Sequence, residues 1–163
     1  YFPGSTIGNL EPDDAADFLV KIAGIAGPDG RALIGVDLKK SKAILERAYN
    51  DKAGVTADFN LNLLARINRE LGADFYLRQW RHQAIYNEKI GRIEMHLIST
   101  IPQTVAIDDA VFKFAAGEQI ITEFSYKYSP AEMIAMAATA GLGFEKIWTD
   151  EQELFGLFLF SRR

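Results

Sequence analysis

The sequence contains no cysteine. That absence excludes disulfides, cysteine-ligated zinc and thiol nucleophiles, and it suits a cytoplasmic protein. Histidine is almost missing as well: His82 and His96 are the only two, too few for a histidine-rich metal site, so no metal is expected. Basic residues form no tract, and 18 of them against 22 acidic residues leave a net charge of −4. A nucleic-acid surface is therefore not expected. No apolar run reaches the roughly 18 residues that a membrane-spanning helix needs. No signal-peptide pattern heads the chain, although a trimmed N-terminus would hide one. Walker-type phosphate loops, HExxH, internal repeats and low-complexity segments are all lacking. What is present is apolar: 48% hydrophobic and 12% aromatic residues among 163 suffice for a sizeable core in one ordinary domain.

The chain opens on YFPGSTIGN, two aromatics running into a Gly- and Ser/Thr-rich turn. Such a turn after a strand is a common binding site in an α/β sheet, yet hardly any strand precedes it. Pro12, Asp13 and Asp14 then suit a first helical turn. Phe18, Leu19, Ile22 and Ile25 or Ala26 give that helix one apolar face, and Gly27, Pro28 and Gly30 end it. Residues 31–38, RALIGVDL, read as a buried parallel strand. Residues 41–71 are helical with a break at Gly54. The second half is expected to use Thr56 as N-cap, Gly72 as stop, and Phe59, Leu63, Leu64, Ile67 and Leu71 as its stripe. Residues 75–89 are less regular. From Arg92 the period becomes two: RIEMHLIST, QTVAI, VFKF and QIITEFSYK read as antiparallel strands, the last two joined through AAGE as a hairpin. Ser129 and Pro130 start a further helix, and FEKIWTD and LFGLFLFSRR close the chain as a hairpin.

The expected organisation is thus an α/β unit (1–38), a helix-plus-antiparallel insertion (39–128), and a completing helix with a terminal hairpin (129–163). This matches the C-terminal part of a Rossmann-like class I methyltransferase sheet carrying an inserted α+β substrate domain. Topology alone carries little functional weight.

Four polar clusters sit in apolar surroundings. In GSTIGN, Gly4 and Asn9 form either a ligand loop or, for Asn9, a helix cap. In ERAYND, Tyr49 either points its hydroxyl into a pocket or packs half-buried. In RIEMHL, Met95 reads as core and His96 as a surface or satisfied histidine. In TEFSYKYS, Glu123, Ser125 and Lys127 share one face, either wet or paired as hydrogen-bonders in a pocket, and Phe124, Tyr126 and Tyr128 share the other.

FPGSTIGN, LIGVDLKK, AYNDKAGVTADFNLNLLARINRELGADF, GRIEMHLIS and ITEFSYKYS, in this order across nearly the whole chain, resemble the histidine N-alpha-methyltransferase family of ergothioneine biosynthesis. The resemblance implies S-adenosylmethionine as co-substrate and a cofactor loop in the first half of the enzyme. The chain is therefore expected to be a C-terminal piece, inactive alone and prone to self-association through an exposed sheet edge. It implies that Asn9 and Tyr49 hold the histidine carboxylate and that Gly4 lies near the amine and the transferred methyl. Glu123 and Ser125 would contact the imidazole, Phe59 and Met95 would be walls, and Phe2, Pro3 and Gly4 would face the cofactor. Two alternatives stand beside it: a non-catalytic amino-acid-binding or regulatory module, and a methyltransferase acting on another amino acid.

Overall fold

The computed structural model describes residues 1–162. A 3-10 turn (Thr6–Asn9) leads into α1 (Pro12–Ala26), β1 (Arg31–Asp37), α2 (Lys42–Tyr49) and α3 (Val55–Leu71). Strands β2 (Trp80–Asn87), β3 (Arg92–Ser99), β4 (Gln103–Ile107), β5 (Ala110–Phe114) and β6 (Gln119–Tyr126) follow, then α4 (Pro130–Thr139), β7 (Leu142–Thr149) and β8 (Phe155–Arg162). The chain divides into two units. One comprises Tyr1–Ser41, Glu88–Arg92 and residues from Phe124 onward; the other comprises Lys42–Asn87 and Ile93–Glu123.

In the first unit the strand order is β1-β8-β7. β1 is buried, as its apolar run predicts, but its ladder with β8 is antiparallel, with Ile34 opposite Phe158 and Ala32 opposite Phe160. Its parallel contacts are isolated bridges, one between Leu38 and Tyr128 just past its end and one between Phe2 and Ile34. There the Phe2 N–H donates to the Leu33 carbonyl at 2.8 Å and the Gly35 N–H to the Phe2 carbonyl at 2.9 Å. Helix α1 has Pro12 in its first turn, Asp13 and Asp14 complementing its dipole, and Gly27 at a φ of 75° ending it. Its inward residues are Ala15, Leu19 and Ala23, with Ile22 half-buried, whereas Ile25 is exposed. Helix α4 begins with the capping box that Ser129 and Pro130 foreshadow: Ser129 accepts from the Glu132 N–H, and Glu132 accepts from the Ser129 N–H. Both helices pack on a core of Ile34, Val36, Met133, Leu142, Phe158 and Phe160.

In the second unit several expectations give way. Residues 80–87 form a regular strand, β2, in a sheet of order β2-β3-β6. β5 pairs with β4, with Val105 opposite Phe112, and not with β6. The tight turn is at Asp108, in left-handed backbone at a φ of 52°, a conformation that aspartate tolerates better than most residues. The N-cap of α3 is Gly54 and not Thr56. The capping acceptor is Asp51, which takes the Val55 N–H at 3.0 Å and the Thr56 N–H at 2.9 Å. Those bonds, the Thr56 one foremost, hold the Asp51 carboxyl below the usual aspartate range. Gly72 stops the helix as expected. The buried side of α3 is rotated from the expected stripe: Asn60 and Leu64 are buried, while Phe59, Leu63 and Leu71 are exposed. The rotation follows from Asn60, a polar side chain whose hydrogen bonds all lie inward. β3, central in its sheet, is buried on both faces. His96 is accordingly buried, not at the surface, and its ring nitrogens lack hydrogen-bond partners. The Glu94 carboxylate lies 3.5 Å from its Nε2.

Candidate functional site

Gly4, Asn9 and Ser125 belong to the first unit; Tyr49, Phe59, Met95 and Glu123 belong to the second.

In the first unit, Gly4 and Ser5 both adopt left-handed backbone, with φ of 75° and 56°. For serine that conformation is strained by about 1–3 kcal/mol and persists only where neighbours enforce it. Here the Ser5 N–H donates to Gly35 at 3.1 Å, the Gly8 N–H donates to the Ser5 carbonyl at 2.8 Å, and the Ser5 hydroxyl accepts the Asp37 N–H at 2.8 Å. Gly8 lies so close beneath β6 that a Cβ would stand 2.6 Å from the Tyr126 carbonyl oxygen. The loop is thereby clamped at the carboxyl end of β1, where α/β sheets bind ligands. Asn9 is exposed and does not cap α1, whose N-cap is Glu11. Its side-chain amide has no partner among the described residues. Ser125 is buried and accepts from Lys127 Nζ at 2.8 Å; Lys127 is itself buried and pairs with Asp37 at 2.8 Å. At Ser125 and Lys127 the wet-face alternative therefore fails. The aromatic face is core as expected: Tyr126 and Tyr128 are buried, and Arg92 lies 3.6 Å over the Phe124 ring. The Asp37–Lys127 pair escapes sequence reading, although an acidic residue ending a buried strand, VDLKK, is a usable signal.

In the second unit, the polar residues around Tyr49 are fasteners. Asn50 donates to the Ala84 carbonyl at 2.9 Å and accepts the Ala84 N–H at 2.8 Å. Glu46 accepts the Tyr86 N–H at 3.0 Å, and His82 Nε2 lies 2.9 Å from the Tyr49 carbonyl. They hold α2 on β2 and set where Tyr49 stands. Tyr49 is half-buried against Leu45, Ala84, Tyr86, Ile93 and Met95, so Met95 is a core residue packed beside it. Phe59 and Glu123 share one concavity of about 210 Å³, with Asn60, Asn62, Leu63, Arg66 and Thr122. Glu123 is half-buried, and no hydrogen bond or ion pair engages its carboxylate among the described residues. Of the other polar groups of this wall, Arg66 is held by Glu70 at 2.9 Å and Thr122 by Asn60 at 2.6 Å, while the Asn62 amide has no partner among the described residues.

The chain offers few groups to a cofactor. Phe2 is half-buried against Phe18, the ring centroids 4.8 Å apart. Pro3 and Gly4 are exposed, and nothing lies nearer than 3.8 Å to where a Gly4 side chain would begin. That open backbone fits close approach by a bulky group. Among the described residues no cluster of three or more His, Asp or Glu is placed to hold a metal ion, and no helix is long and apolar enough to cross a membrane.

The fold is that of the S-adenosylmethionine-dependent methyltransferases. It is similar to the CcbJ methyltransferase from Streptomyces caelestis, with a TM-score of 0.51 at 12% identity over 99% of this chain and 58% of that one. The chain belongs to the family described as histidine-specific methyltransferase, SAM-dependent, whose model matches residues 1–162. It is 47% identical to histidine N-alpha-methyltransferase of Mycobacterium tuberculosis, over 99% of this chain and 51% of that protein. It is also 32% identical to L-tryptophan methyltransferase trpM of Psilocybe serbica, over 96% of this chain and 44% of that protein. The chain spans about half the length of the curated relatives it matches.

Proposed function

We propose that the protein containing this chain transfers methyl groups from S-adenosylmethionine to the α-amine of L-histidine, as far as the trimethylated betaine of ergothioneine synthesis. One observation carries the choice of substrate: Glu123, a half-buried carboxylate in a concave wall, has no partner among the described residues. An imidazole N–H supplies one. An apolar ring in the same place would leave the carboxylate unpaired, at a cost of several kcal/mol.

The other roles follow from residue chemistry. Asn9 and Tyr49 both carry donors for a carboxylate. Ser125, held by Lys127, offers a hydroxyl to the second imidazole nitrogen. Phe59 and Met95 are apolar walls. Pro3 and Gly4 face the cofactor through exposed backbone, with Phe2 behind them. When bound, S-adenosylmethionine supplies a methyl group already activated on a sulfonium. The chain's contribution is alignment: the neutral amine must be held in line at near-attack distance. Three transfers end in a fixed positive charge, which the Tyr49 ring face can stabilise. The protein is assigned to the cytoplasm, in keeping with its lack of cysteine. The sheet edge at Tyr1–Phe2 is assigned to self-association when this chain stands alone.

The test is methyl transfer by the full-length protein. Trimethylation of histidine with a much poorer reaction on tryptophan supports the assignment. Preference for tryptophan overturns the substrate, and binding of histidine without turnover returns the protein to a non-catalytic module.

A further inference from the structure

We infer that His82 and Asn60 form a positioning pair that sets Tyr49 for the substrate carboxylate, an inference that rests on the role proposed above for Tyr49. Tyr49 is the last residue of α2, and the final carbonyls of a helix lack donors within it. His82 fills that gap, its Nε2 standing 2.9 Å from the Tyr49 carbonyl. On the other side of the ring, Nδ1 lies 3.0 Å from Asn60 Nδ2. An amide NH2 only donates, so Nδ1 must accept. Nε2 is then the donor of the ring, directed at the Tyr49 carbonyl.

The orientation of Asn60 is set by its remaining contacts. Nδ2 also donates to the His96 carbonyl at 3.2 Å, and Oδ1 lies 2.6 Å from the Thr122 hydroxyl. That hydroxyl is also 3.1 Å from the Met95 carbonyl. A flipped amide would put oxygen against the His96 carbonyl. Asn60 is 3% exposed, so losing any of these bonds leaves a buried polar atom unpaired. The path runs from α2 through β2 and α3 to β3 and β6. It joins the backbone of Tyr49 to Thr122, the residue before Glu123. Tyr49 and Glu123 are the proposed holders of opposite ends of the substrate, so this pair sets the spacing between them.

The experiment uses the full-length protein, with calorimetric binding of L-histidine beside steady-state kinetics. His82→Phe keeps the bulk and removes both ring nitrogens. It should raise Kd and KM for histidine about five- to tenfold, with kcat changed less than about twofold. His82→Gln returns one donor and one acceptor and should recover most of the affinity. A Gln variant as weak as the Phe variant means the ring serves packing alone, and it overturns the inference. Tyr49→Phe separates the two readings. If it leaves binding unchanged, the role of Tyr49 fails and the inference falls with it. If it weakens binding while His82→Phe does not, only the positioning pair is overturned. The double variant should be no weaker than Tyr49→Phe, since coupled residues do not add; additive losses overturn the pair. Should His82→Phe fail to fold, Thr122→Val takes its place. A severalfold rise in KM then supports the pair, and an unchanged KM refutes it.

Discussion

Glu123→Ala is the sharpest perturbation of the proposed site. Glu123 lines a concavity of about 210 Å³ and is engaged by nothing in its own wall. Arg66 is held by Glu70, and Thr122 is held at Asn60. Removing the carboxylate therefore breaks no internal bond, and folding should be little affected. The loss falls on the ligand. A hydrogen bond to a charged partner contributes about 1.5–3 kcal/mol, which converts to a loss in kcat/KM for histidine of roughly ten- to a hundredfold. Affinity for S-adenosylmethionine should stay within about twofold, because its proposed contacts are at Pro3 and Gly4. Phenylalanine, an apolar amino acid whose ring has no donor for the carboxylate, should lose far less. Glu123→Gln, which keeps a hydrogen-bonding group and drops the charge, should fall between. Asn9→Ala supplies the contrast: the carboxylate it is proposed to bind is common to all amino acids, so every substrate should suffer alike. The assay is a two-substrate comparison of kcat/KM on all three variants. Equal losses on histidine and phenylalanine from Glu123→Ala would refute the imidazole role.

Three further outcomes are expected. Tyr128 is buried and its hydroxyl lacks a partner among the described residues; burial foremost pushes its pKa from 10.0 up to about 12. Because the unfolded chain releases that proton first, this contribution to stability is complete below about pH 10 and is lost towards pH 12. Tyr128→Phe should shrink that alkaline loss in denaturant titrations and leave neutral stability equal or higher; a clear drop at pH 7 would count against an unpartnered hydroxyl. Gly8→Ala sets a Cβ 2.6 Å from the Tyr126 carbonyl, so it should displace the Gly4–Asn9 loop and weaken histidine binding at least tenfold, read by calorimetry; unchanged binding would mean the loop is not clamped there. This chain alone should not methylate histidine and should self-associate, since Tyr1 and Ile25 are exposed at the sheet edge that Phe2 forms beside β1. A dilute, monodisperse monomer in light scattering, or turnover, would contradict this.

How far the sequence is readable depends on whether a signal is local. The capping box at Ser129, the Gly27 and Gly72 stops and the closing hairpin are decided by a few adjacent residues, and all stand in the structure. The hairpin drawn through AAGE fails because two candidate partners flank β5, and turn chemistry at Asp108, not proximity to glycine, makes the choice. The stripe on α3 misleads for a related reason. Phe59, Leu63 and Leu71 are apolar and evenly spaced, yet it is Asn60 that turns inward. Periodicity scores a buried asparagine as an error, whereas three elements supply it with partners. The same limit governs ERAYND. Its polar residues suggest a ligand set, but Glu46 and Asn50 spend their hydrogen bonds on β2 and Asp51 on the start of α3. A polar side chain becomes a candidate for ligand binding only after the fold's own claims on it are counted. By that measure Asn9 and Glu123 retain unengaged polar groups among the described residues, whereas His82 and Asn60, which no motif singles out, spend theirs on Tyr49, His96 and Thr122.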